Sequence, residues 1–384
     1  MNTTFQPTCL RWARERAGLS TDDLASKLGV SQDKVSAWEV SGELTLSLAE
    51  KLANATHTPL GYLFLSEPPV ENLPIRDFRT VGAEVASRPS PDLLDTIYDA
   101  LRRQEWYRDY LVASAGEPLE FVGSLKVSED ILMSAERIRS LIAWDAGSRA
   151  QASSWEIALS KQIDAVEEIG VLVMRSGIVG NNTHRPLSVS EFRGFALSDE
   201  YAPIVFINSR DAKAAQMFTL AHELVHILLG VSGVSNLNRT YPSQDSTERF
   251  CNAVAAELLV PLSDLRIQWA GVHTYPDWIA RLGRHFKVSS LVILRRLRDA
   301  GYIAREKFDK LYNDELAQFT PKLHKTEGGD FYLTLCARLG GRFVSALVES
   351  TLEGRTQYRD AFHLLGVAKA DTVHTLAQRI GVMA

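Results

Sequence analysis

Cysteine is scarce in this chain of 384 residues: Cys9, Cys251 and Cys336 are the only three, and they are widely separated. With no CxxC pair, neither a thiolate metal knot nor a disulfide framework is available, and the thiols read as reduced. Long apolar runs are missing too. No stretch approaches the roughly 18 consecutive apolar residues of a spanning helix, and the opening "MNTTFQPTCLRWARERAG" lacks the apolar core of a signal peptide. These absences point to a cytoplasmic chain with no membrane partner. Positive charge is not in excess either: 42 Lys and Arg face 47 Asp and Glu, a net charge of −5. That excludes a nonspecific nucleic-acid coat while leaving room for a local reader of DNA. Internal repeats and low-complexity segments are also lacking.

What is present is an ordinary globular composition, 45% hydrophobic and 23% charged, which at this length implies two or three domains. Residues 8 to 65 carry helical spacing, and the composition then changes at "SEPPVENLPIRDFRTVGAEVASRPSP". Five of the 14 prolines fall between Pro68 and Pro91, which marks an extended linker or a strap over a neighbouring domain. Amphipathic patterns over 92–113 and from Ser154 read as scaffold helices. Three short β-rich runs follow, "VLVMRSGIV", "FRGFAL" and "PIVFIN", and predict a small sheet. Beyond Pro261 the pattern is helical again, with Ser289 as an N-cap. The expected organisation is a helical domain over 1–66, a linker and helical scaffold over 67–150, a domain with the small sheet over 151–305 and a helical region over 306–384. The fold class is α+β and mostly helical.

The run "TLAHELVHILLG", residues 219–230, carries the chemistry. On a helix, His222 and His226 lie one turn apart on one face and can converge on a single ion, with Glu223 beside them. A zinc ion held there would lower the pKa of its water to about 7, and Glu223 could accept the proton as that water attacks a peptide carbonyl. This is the HExxH arrangement. Gly230 is a suitable C-terminal stop.

A catalytic zinc needs a third protein ligand. The extended pattern HExxHxxGxxH is excluded, because Leu229 and Ser232 stand where glycine and histidine would be required. A second helix, "DSTERFCNAVAAELLVP", capped by Asp245 or Ser246, offers Glu248, with Asn252 and Ala255 on the same side. Glu248 is the favoured ligand and Asn252 an orienting group behind it. Glu257, nine residues on and on the opposite side of the helix, stays open as a rival or as a structural ion-pair partner. Tyr201, Tyr241 and His184 are candidate donors to an oxyanion.

"FTLAHELVHILLG", with "ERFCNAVAAELLVP" and the upstream "GFAL" and "APIVFIN", resembles the ImmA/IrrE family of zinc metallopeptidases over about residues 170–300. The resemblance implies a minimal gluzincin-like fold, His222, His226 and Glu248 as zinc ligands, and Glu223 as general base. It also implies a protein substrate, a transcriptional repressor or comparable regulator. Val254 departs from the family, where an aromatic residue is usual, and this touches packing rather than chemistry.

Residues 20–56, "STDDLASKLGVSQDKVSAWEVSGELTLSLAEKLANAT", follow helix-turn-helix grammar. Leu24 and Ala25 face inward, Gly29 permits the turn, Val30 and Val35 fill the core and Ser31 is expected to cap the recognition helix. The arrangement resembles the Xre family of five-helix DNA-binding domains over nearly all of residues 8–65. Gln32, Asp33, Lys34 and Ser36 would then meet bases or phosphates of double-stranded DNA. Residues 1–65 hold 6 Lys or Arg against 7 Asp or Glu, so the competing reading is a module for dimerisation or for a protein partner. Arg281, Arg284, Arg295, Arg296 and Arg298 read as a solvated helix face. The leading expectation is a zinc endopeptidase joined to a DNA-binding module. The other is a DNA-binding regulator or antitoxin-like protein whose peptidase fold serves as a binding platform.

Overall fold

The computed structural model describes residues 2–79, 88–144, 152–235, 245–273, 277–318 and 330–382. Seventeen α-helices and seven short strands among these residues make the fold α+β and mostly helical. The chain divides into two compact units, one of residues 1–74 and 85–98, the other of 75–84 and 99–384.

In the first unit, α1 (Pro7–Arg16) begins with proline at its first turn, where no hydrogen bond is lost. Helix α2 (Thr21–Leu28) opens on a capping box in which Ser20 and Asp23 bond each other's backbone, and it ends at Gly29 with φ 67°. Helix α3 (Gln32–Ser41) starts after Ser31, whose side chain makes no capping bond. After α4 (Leu46–Ala55), a 3-10 turn at Leu60–Phe64 supplies the fifth helical element. Leu10, Leu24, Ala25, Val35, Leu52 and Leu63 form the core, with Val30 packed against it. The patterning does not reveal a pair of three-residue strands, β1 (Asn2–Thr4) and β2 (Glu43–Thr45), antiparallel to each other. Glu39 is buried and ion-paired with Arg14 at 2.6 Å, which closes the unit from inside.

The second unit is built on a five-stranded mixed sheet in the order β3-β7-β5-β6-β4. Its three expected strands are β4 (Leu172–Ser176), β5 (Gly194–Leu197) and β6 (Ile204–Asn208), buried along almost their whole length. Two more were not legible: β3 (Arg76–Asp77), drawn from the proline-rich segment, and β7 (Gly233–Ser235). Strand β3 runs parallel to β7, and β5 is antiparallel to both β7 and β6. Helix α5 (Pro91–Ala113), α6 (Ile131–Leu141) and α7 (Trp155–Glu168) precede β4 in the chain. Helix α8 (Lys213–Leu228) packs on β5 and β6, between α7 and α9 (Ser246–Leu259), and α6 lies along α9. The remainder is helical: α10 (Leu262–Val272), α11 (Trp278–Phe286), α12 (Ser290–Asp299), α13 (Arg305–Gln318), α14 (Phe331–Leu339), α15 (Gly341–Leu352), α16 (Tyr358–Leu365) and α17 (Ala370–Ile380). No single helix among the described residues is long and apolar enough to cross a membrane.

Candidate metal centre

Helix α8 is buried at every residue from Thr219 to Leu228, so its polar face is covered as fully as its apolar one. Three devices hold it in place. At its start no side chain caps Ala212; instead the Gln216 amide donates to the Asp211 and Ser209 carbonyls at 2.6 and 3.0 Å. At its end, Gly230 turns with φ 70°, and the Gly123 and Leu125 N–H groups donate to the Ile227 and Leu228 carbonyls at 3.2 and 2.8 Å. The Leu228 carbonyl, at the end of the helix, would otherwise lack a partner. On the flank, Gly194 of β5 lies so close that a Cβ there would come within 2.5 Å of Thr219 and 3.2 Å of the Glu223 carboxylate.

Helix α9 begins at Asp245, whose carboxylate accepts from the Thr247 and Glu248 N–H groups at 2.7 and 3.1 Å. The cap fixes the first turn, and with it Glu248 at the end facing α8. The His222 and His226 Nε2 atoms stand 3.1 Å apart, and Glu248 Oε1 lies 3.0 Å from His226 Nε2 and 3.5 Å from His222 Nε2. Tetrahedral zinc with bonds of about 2.0–2.2 Å separates its ligand atoms by about 3.3–3.5 Å, so this triangle fits the ion with little adjustment. The donor types fit as well, because two imidazoles and one carboxylate leave a fourth position open.

The electrostatics are those of a buried set awaiting positive charge. His222, Glu223 and His226 are fully buried and Glu248 is 4% exposed. Among the described residues neither Glu223 oxygen has a partner at hydrogen-bond distance, though the Ser235 side chain lies near. Burial, reinforced by the Glu248 charge, pushes the Glu223 carboxyl up to about 8. Burial acts the same way on Glu248, but the two imidazoles outweigh it and hold that carboxyl well below the usual range. Burial lowers His226; for His222 the attraction of Glu248 overcomes burial and raises it, with the Asn252 side chain adding a contact to its ring. An orphaned, desolvated carboxylate beside three converged donors is an arrangement that a divalent cation relieves.

The structure thus brings His222, Glu223, His226, Glu248 and Asn252 together. Glu257 lies elsewhere: it is ion-paired with the buried Arg296, which also donates to the Val260 carbonyl at 2.9 Å. Arg296 is therefore no part of a solvated face, because the turn from α9 to α10 exposes a carbonyl and a carboxylate that only a buried cation satisfies. Tyr201 is half-buried beneath the Arg108 guanidinium, and His184 is exposed on a turn. Tyr241 lies outside the described residues. Gln32, Asp33, Lys34 and Ser36 are all exposed along α3, and the Gln32 amide donates to Thr21 at 2.8 Å. Sequence reasoning missed Phe78, whose ring stacks on His226 with centroids 5.2 Å apart. It also missed Ser235, which lies near Glu223. The one available signal for Phe78 was an aromatic residue inside an otherwise polar, proline-rich segment.

Comparison with known families gives three matches. Residues 10–63 match a helix-turn-helix model, residues 166–298 match a peptidase-family model described as the IrrE N-terminal-like domain, and residues 339–379 match a domain of unknown function. No curated protein matches the chain. The N-terminal segment 10–63 is thus similar to helix-turn-helix domains, and the segment 166–298 to ImmA/IrrE-type peptidase domains.

Proposed function

We propose that this chain is a cytoplasmic, zinc-dependent endopeptidase that cleaves a regulatory protein, most simply a transcriptional repressor, and that its helix-turn-helix lends it DNA binding. The convergence of the His222, His226 and Glu248 donor atoms within 3.0–3.5 Å, one turn of helix from an unpartnered buried glutamate, carries the reading. When bound, the metal supplies Lewis acidity toward water and the scissile carbonyl. His222, His226 and Glu248 hold it. Glu223 accepts a proton at a carboxylate oxygen as water attacks and returns it to the departing amine. Its elevated affinity for protons suits that role once a nearby cation draws it back toward neutral pH. Asn252 orients the His222 ring. The matched peptidase model supports the reaction class, and the helix-turn-helix match supports a regulatory setting.

The test is Glu223→Gln. Purified variant should retain zinc stoichiometrically while cleavage of a candidate repressor substrate, which the parent cleaves, disappears; undiminished cleavage rejects the assignment. The full burial of the cluster gives weight to a second reading, in which the peptidase fold serves as a binding platform for a DNA-binding regulator. That reading predicts salt-sensitive DNA binding, no cleavage, and indifference to chelators.

A further inference from the structure

A metal-bound imidazole normally donates its second ring nitrogen to a carbonyl or carboxylate, which fixes the ring's rotation. Among the described residues neither His222 Nδ1 nor His226 Nδ1 has such a partner. His222 has the Asn252 side chain beside it. Against the His226 ring lies Phe78, inclined at 30° to it, with centroids 5.2 Å apart. Phe78 itself is 7% exposed and firmly placed. Its N–H donates to the Val234 carbonyl at 3.0 Å, and a Cβ on Gly233 would meet its ring at 2.2 Å. The adjoining Arg79 is pinned by Asp77 at 2.8 Å and Glu191 at 3.2 Å.

We propose that Phe78 is a positioning residue of the metal centre, so that strand β3, which lies far outside the matched peptidase segment, is needed for full metal affinity. This rests on the zinc reading above. The physical case is differential. Coordination withdraws electron density from the imidazole, and an electron-poor ring is attracted more strongly to the electron-rich face of Phe78 than a neutral one. The stack therefore favours the loaded over the metal-free state in addition to restraining the ring. Gly233 is the complementary half of the device, because only a residue without Cβ lets the phenyl ring lie across β7.

The experiment measures zinc affinity of the full-length protein by competition with a chromogenic chelator, together with the visible spectrum of the cobalt-substituted form. Phe78→Ala and Gly233→Ala should each weaken zinc about 10–100-fold and alter the cobalt bands, as loss of an outer-shell partner does. Phe78→Tyr should stay within a few-fold of the parent. Phe78→Leu keeps bulk but not the flat face; it should weaken zinc without lowering the melting temperature of the metal-free protein, and it decides the matter if the alanine variants fail to fold. Parental affinity and spectrum in the variants, with only the metal-free melting temperature reduced, would overturn the proposal and leave Phe78 as packing. A parent that holds no zinc overturns the metal reading itself, an outcome distinct from the first.

Discussion

Glu248 and Glu257 sit on one helix and meet opposite surroundings. Glu248 faces two imidazoles across the gap to α8; Glu257, more than two turns on, meets Arg296 and accepts from the Leu262 N–H at 3.3 Å. Helical phase was enough to favour Glu248 in the sequence, whereas the partner of Glu257 was not legible, since Arg296 lies 39 residues away and contact at that separation leaves no local pattern. The two carboxylates should therefore separate cleanly under substitution. Glu248→Gln should abolish stoichiometric zinc with little loss of fold. Glu257→Gln should retain zinc yet destabilise by about 3–5 kcal/mol, because a buried guanidinium is left without its counter-charge. Metal analysis and urea unfolding of both variants check this, and zinc loss in Glu257→Gln would reverse the ligand assignment. Gly194 makes a parallel case in packing. A methyl group there would press on Thr219 and the Phe206 carbonyl, so Gly194→Ala should cost about 1–3 kcal/mol in the same unfolding assay.

Among elements, those with local signals were readable and those made by distant pairing were not. Helix α9 is capped by Asp245, one of the two residues that sequence grammar offers, α12 by the expected Ser289, and β4, β5 and β6 carry enough β-branched and aromatic residues to declare themselves. Strands β3 and β7 are two and three residues long, too short for any alternation, and exist through pairing, β3 with β7 and β7 also with β5. Helix α7 shows a further effect of tertiary contact. Glu167 lies in its last turn, where the helix dipole already disfavours negative charge, and its carboxylate approaches the position that a Cβ on Gly340 would take between α14 and α15. Burial raises this carboxyl from 4.5 to about 7. The folded state thus holds a proton that the unfolded chain releases, and stability falls as pH rises from about 4.5 to about 7, then levels off. Glu167→Gln should therefore be more stable than the parent at pH 8, on the order of 3 kcal/mol, with the advantage shrinking to nothing near pH 4.5. Urea unfolding at both pH values measures it; an advantage independent of pH would exclude linkage as its cause.

At the scale of the whole molecule, the helix-turn-helix grammar was readable because every turn and cap in residues 20–45 is local, but its charge budget became clear only with the structure. Arg14 is bound to Glu39, and Arg16 to Glu71 at 2.5 Å, so two of the six cations in residues 1–65 are already neutralised within the unit. Arg11 approaches the same Glu39 at 3.6 Å. The exposed lysines Lys27, Lys34 and Lys51 remain as candidate phosphate contacts. Three contacts give a dependence of log affinity on log salt of about −3 per bound chain, so raising salt from 50 to 200 mM should weaken binding only by some tens-fold. Lys34→Ala should flatten that slope by about one and weaken all sequences alike. Gln32, at the start of α3 and steadied by Thr21, is placed instead to read a base edge, so Gln32→Ala should change sequence preference and leave the slope intact. Fluorescence anisotropy on a cognate and a scrambled duplex across a salt series separates the two effects. A slope near zero, unaltered by Lys34→Ala, would mean that the unit binds protein rather than DNA, as its near-neutral composition also allows.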